Sequence, residues 1–125
     1  MDNFTRHYII AALWSSVDDD GEPLDARFSA DDLAPETVAK MSADCARFQA
    51  ENAALLAEVA PMHVYHPDAE TPDASAGHDF WLTRNRHGAG LWDRGYGDTG
   101  KQLTDAAHTF GECDLYIGDD GKIYC

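Results

Sequence analysis

The sequence predicts an α+β fold: one domain of 125 residues in the order α-α-β-β-α-β-β, with a small antiparallel sheet of two hairpins packed against helices. Three observations predict it. Through the first sixty residues the apolar positions recur at steps of three and four, the period of a helix face. After residue 78 they alternate, the period of a strand. Two glycine-bearing turn signals, at 87–90 and 119–121, fall where hairpins would reverse. A chain of this length supports one core, because dividing it would leave two cores too small to stand alone.

The first helix is drawn by Ile9 or Ile10, Leu13, Trp14 and Val17, which lie on one stripe from Thr5 until "DDDGEP" ends it. Ser29 is the next start signal, a capping hydroxyl followed by Asp31 and Asp32. Pro35-Glu36 opens a second helix, since proline suits the first helical turn. Its seam is Val38, Met41, Cys45, Phe48, Asn52, Leu55 and Val59, stepping 3-4-3-4-3-4 until Pro61. Asn52 interrupts that seam with a polar group, which either fixes the register of a partner helix or sits at the edge of the stripe facing water. A partner helix could come from this chain or from a homodimer formed through 38–59.

Residues 61–77 carry Pro61, Pro67 and Pro72 among small and acidic residues, and read as a long surface connection. Asp79, Trp81 and Thr83 then alternate with Phe80 and Leu82, and a loop at His87-Gly88-Ala89-Gly90 leads to Leu91-Trp92-Asp93, which together read as a hairpin. Asp98 or Thr99 caps a helix whose face is Leu103, Ala106, Ala107 and Phe110, ended by Gly111. The final hairpin turns at Asp119-Asp120-Gly121. It pairs Ile117 with Ile123 and Tyr116 with Tyr124, placing Leu115, Ile117, Ile123 and Cys125 towards the core and the tyrosines on the other face.

Twenty-three acidic residues stand against nine basic ones, a formal net charge of -14. That balance disfavours duplex binding by the protein as a whole, because affinity for phosphate comes mostly from Lys and Arg. The acidity is concentrated at the front, where Asp18, Asp19, Asp20, Glu22, Asp31, Asp32 and Glu36 form a candidate acidic surface. With no apolar leader after Met1, the unrelated spacing of Cys45, Cys113 and Cys125 predicts a reducing compartment, the cytoplasm. The facing register sets Leu115 opposite Cys125, so a bridge from Cys113 to Cys125 is not expected. No apolar run approaches the roughly 20 residues of a membrane span, so no membrane partner is expected.

The candidate binding site lies in 77–100, where the charge reverses. Asp79, Asp93 and Asp98 are outnumbered by Arg84, Arg86, Arg94 and Lys101. His78 and His87 can exchange protons near neutrality, Trp81 and Trp92 can stack, Asp93 can orient a histidine and Arg84, Arg86 and Arg94 can hold an anion. The bland alternative packs the apolar residues and pairs Arg84 and Arg94 with Asp79 and Asp93. No catalytic residue is named, and no metal or cofactor is expected. Asp18-Asp19-Asp20-Gly21 fails as a calcium loop because its last ligand position falls on Arg27. His63 and His66 supply two ligands where structural zinc wants four. The letters Gly95-x-Gly97-x-x-Gly100 lack the βαβ unit of a dinucleotide site.

The segments "HYIIAALWSSVDDDGEPLDARFSADDLAPETVAKM" and "GHDFWLTRNRHGAGLWDRGYGDTGKQLTDAAHTFGECDLYIGDDGKIY" closely resemble a family of small proteins of tailed bacteriophages and prophages. The likeness covers most of the chain and departs from the family pattern at 60–76, which puts any role for His63 and His66 in doubt. It implies a phage product acting in the bacterial cytoplasm and no particular activity or site. Three functions follow as expectations. The first is an accessory protein that binds a host or phage protein, its acidic half imitating nucleic acid. The second is a binder of single-stranded nucleic acid or a small anion through 77–100, and the third an enzyme built on His87 and Asp93.

Overall fold

Helix α1 spans Asn3–Ser15 and starts because the Asp2 carboxylate accepts the Thr5 N–H at 2.8 Å, satisfying one of the free amides of the first turn. In the computed structural model, which describes residues 1–63 and 71–125, four further helices follow: α2 (Pro35–Glu51), α3 (Ala53–Val59), α4 (Pro72–Arg84) and α5 (Gly97–His108). Strands β1 (Tyr116–Ile117) and β2 (Ile123–Tyr124) form a two-stranded antiparallel sheet. Among the described residues the class is therefore α+β with the helices dominant.

The first hairpin is not formed. Residues 79–83, read as a strand, are the second half of α4, and Leu91–Asp93 is a single 3-10 turn. Alternation failed as a guide because this half of α4 is buried on all sides: Asp79 through Arg84 are inside without a gap. A helix covered all round has no polar face to give it a 3.6-residue period. Its start was nonetheless written in the sequence. Thr71 accepts the Ala74 N–H, Pro72 occupies the first turn and Asp73 follows, so 72–77 is helix rather than connection. Of the 61–77 connection, residues 64–70 lie outside the described residues, His66 among them.

The helix expected over 38–59 is two helices. At Asn52 the backbone leaves the helical region (φ -121°), and both its N–H and its side-chain amide donate to the Phe48 carbonyl, at 3.0 and 2.9 Å. Asn52 is buried rather than facing water at the edge of the stripe. Phe48 of the seam packs within the chain, stacking on Phe80 with ring centroids 4.1 Å apart and reaching Phe4 at 6.0 Å. Tyr8, Trp81 and Phe110 extend this aromatic core. Helices α1 and α4 touch so closely that a Cβ at Gly77 would sit 2.0 Å from the Phe4 carbonyl oxygen.

The C-terminal hairpin keeps the expected register, Tyr116 with Tyr124 and Ile117 with Ile123, and Gly121 takes the left-handed turn conformation (φ +79°). Ile123 is fully buried, Leu115 is buried and the tyrosine rings stack on the other face. Ile117, assigned to the core side, is partly exposed. The sheet is anchored to α2 by the Thr37 hydroxyl and the Ala34 N–H, which both donate to the Ile123 carbonyl. Cys113 and Cys125 are bonded, their Cα atoms 5.9 Å apart, against expectation. Strand pairing ends at Tyr116, so the chain ahead of it is free to bend and bring residue 113 to the C-terminus. With two of three cysteines bridged, cysteine usage no longer argues for a reducing compartment.

Candidate functional site

The residues expected to share one binding face are divided between the interior and the surface. Trp81 is buried, its indole N–H donating to the Ser15 hydroxyl at 2.7 Å and its ring edge-on to Tyr8. Arg84, the last residue of α4, is as deeply buried. Its guanidinium donates to Asp44 Oδ2 at 2.8 Å and to the Tyr8 hydroxyl, the Gly111 carbonyl and the Phe110 carbonyl, each at 3.0 Å. Those four acceptors explain how a charge can sit in the core. With four of its five N–H donors so engaged and the side chain buried, Arg84 is not placed to hold an outside anion.

Arg94 reaches back along the chain to buried Asp79, making a fork of two hydrogen bonds at 3.0 and 2.8 Å. Asp93 accepts the Gly90 N–H at 3.0 Å and lies 3.9 Å from Arg94, so its carboxylate braces the 90–94 turn. The bland pairing of Arg94 with Asp79 is thus realised, whereas Arg84 chooses Asp44, forty residues earlier. On the outside remain Arg86, His87 and Trp92, the indole 53% exposed, while His78 is half-buried against the Trp14 ring at 5.9 Å. His87 borders a pocket of about 300 Å³ with Ser15, Asn85, Glu112 and Asp114. Among the described residues no group of three His, Cys, Asp or Glu side chains could hold a metal ion.

The acidic surface is more selective than the sequence suggests. Asp18 is spent on its own loop, where it accepts the Asp20 and Glu22 N–H groups and pairs with Arg27. The Glu22 amide and then Arg27 hold its carboxyl below the ordinary range. Asp32 closes a capping box by accepting the Ser29 N–H at 2.8 Å. Asp19, Asp20, Glu22, Asp31 and Glu36 are exposed, and so is Asp25, which the sequence reading passed over. Arg27, the one base between Val17 and Glu36, is already turned to Asp18 and Asp20.

The stripe expected on the first helix is divided: Ile9 and Leu13 are buried, whereas Trp14 and Val17 are exposed. Helix α1 is apolar on two sides: Phe4, Tyr8, Ala11 and Ala12 face the core, while Ile10 (46%) and Trp14 (56%) stay exposed, as does Val17 (59%) just past its end. Beside Ile10 a groove of about 290 Å³ opens between α1 and residues 25–30, its walls mainly Met1, Ile9, Leu13 and Phe28. The signal was visible as an excess of apolar residues around α1, more than a single stripe requires.

Compared with known proteins, the chain matches no family model, no curated protein and no solved structure. No helix of the described residues is long and apolar enough to cross a membrane.

Proposed function

We propose that this chain is an accessory protein of a tailed bacteriophage that acts by binding a basic, nucleic-acid-gripping protein of host or phage. The carrying observation is the surface between Val17 and Glu36, where six exposed carboxylates stand beside a single base that Asp18 already engages. Carboxylates spread over turns and helix ends present fixed negative charge to a basic groove and speed encounter with it. Elsewhere Lys40, Arg47, Arg84 and Arg94 are also paired with acids, so the cations do little to offset that field. The reading through 77–100 loses its main supports, since Trp81 and Arg84 are interior and Arg94 is held by Asp79.

The test is competition. Proteins retained from bacterial lysate on the immobilised chain should be displaced by duplex DNA, and by about 0.5 M salt, where the Debye length is shorter than the spacing of most surface charges. Reversing Asp19, Asp20 and Glu22 to lysine should abolish retention. Retention that ignores both DNA and charge reversal would remove the decoy reading.

A further inference from the structure

The groove beside Ile10 adds a second kind of recognition to the charged surface, and the inference rests on the reading that the partner is basic. We propose that the groove between α1 and residues 25–30 receives a bulky apolar side chain from a basic peptide segment of that partner. Its walls are Ile9, Ile10, Leu13, Phe28 and Met1, and at about 290 Å³ it has room for one large side chain. Exposed apolar residues gathered at a concavity mark sites where partners dock, and a single anchor set in such a pocket carries much of the affinity.

Charge decides the occupant. Asp25 lines the groove itself, and the exposed Asp31 follows directly on its Ala30 wall, with Asp19, Asp20 and Glu22 on the loop that precedes it. Arg6, the one cationic side chain in the lining beside the Met1 amino group, is hydrogen-bonded to Asn3. A second copy of this chain would bring another formal charge of -14 to the contact, which repels it. A segment with Leu or Phe flanked by Lys or Arg fits both features at once. The arrangement is that of an amphipathic helix laid in a groove, read by one or two anchors along its face. Trp14, one turn beyond Ile10 and likewise exposed, extends the apolar surface in the helix direction.

The full chain can be tested with two labelled synthetic peptides of equal length and charge. One is a Leu/Lys amphipathic helix; in the other every Leu is Ser. Fluorescence anisotropy at about 0.15 M salt, where distant surface charges are largely screened, should show the Leu/Lys peptide bound at least about tenfold more tightly. Ile10→Ser together with Trp14→Ser should erase that difference, and Trp92→Ser, on an unrelated exposed indole, should not. These three positions are on the surface, so the variants keep the core, and unchanged circular dichroism checks it. Equal binding of both peptides, with both lost on charge reversal at Asp19, Asp20 and Glu22, would overturn the groove while leaving the acidic reading standing. Absence of binding by either peptide would overturn both.

Discussion

Arg84 shows how one residue can be read correctly as important and wrongly as exposed. In the sequence it is one of three arginines in a glycine-rich stretch. In the fold it joins α1, α2, α4 and the turn after α5 through Tyr8, Asp44, Phe110 and Gly111. Replacing it with Met should cost about 3–5 kcal/mol, because the Tyr8 hydroxyl and two carbonyls lose their donor and the Asp44 carboxylate loses its nearer cation. Urea unfolding at pH 7 measures this, and a loss under about 1 kcal/mol would show that water replaces the guanidinium. Asp44 adds a pH signature. Burial alone would raise its carboxyl, but hydrogen bonds from Arg84 and Lys40 outweigh burial and hold it below the ordinary 3.8. A depressed folded value means that Asp44 contributes stability above the unfolded value and loses it as pH falls through the folded one. Asp44→Asn should therefore lower stability at pH 7 and flatten the decline in the acid range, below about pH 4. Parallel stability curves for the two proteins would contradict the ion pair.

Elements in which one face meets the core and another meets water were readable from the sequence; elements enclosed on every side were not. The last strand pair kept its expected register, Tyr116 with Tyr124 and Ile117 with Ile123, because its turn glycine and the opposite environments of Ile123 and the tyrosines mark it, whereas Ile117 and the cysteines departed from expectation. Helix α5 was found from Leu103, Ala107 and the glycine at 111, and α2 from Met41, Cys45 and Phe48. The second half of α4 carried no such contrast, and with it went Trp81 and Arg84 of the candidate site. Asn52 was noticed but misassigned, since a side chain that hydrogen-bonds its own preceding turn breaks a helix without any glycine or proline to announce it. Contact between α1 and α4 gives a direct check. Gly77→Ala would drive a methyl group into the Phe4 carbonyl, and the resulting overpacking should cost about 1–3 kcal/mol or more. A Tm equal to that of the unaltered protein would mean that the two helices part readily. The bridge in the last element is countable. Burial pushes the Cys45 thiol up to about 12, so a thiol reagent at pH 8 should find no reactive group in the native protein, one in denaturant, and three after reduction. Three reactive thiols in denaturant alone would mean that Cys113 and Cys125 are a dithiol. Closing a 13-residue ring contributes about 3 kcal/mol in the chain-entropy account, so reduction should also lower the unfolding midpoint.

At the scale of the whole molecule, charge and packing pull in opposite directions. The interior neutralises its ions locally: Arg84 with Asp44, and Arg94 with Asp79. The exterior leaves most of its carboxylates facing water, and a formal charge of -14 on 125 residues repels itself wherever those groups crowd. Such repulsion lowers stability, and retaining it makes sense if the same field is what meets a basic partner. If the crowding between Val17 and Glu36 is real, salt should stabilise this protein. Raising the salt from about 0.01 M to about 0.5 M shortens the Debye length from roughly 30 Å to a few ångström and removes repulsion beyond nearest neighbours. The Tm should rise by several degrees, a change of about 1 kcal/mol being worth roughly 4–8 °C or somewhat less at this size. Replacing Asp19, Asp20 and Glu22 by lysine should raise the low-salt Tm and shrink the salt response, because the field is already reduced. That same variant should lose the partner. Stability gained at the three positions where binding is lost would identify the acidic surface as kept for recognition, whereas a Tm indifferent to salt would mean that the carboxylates lie too far apart to act as one field.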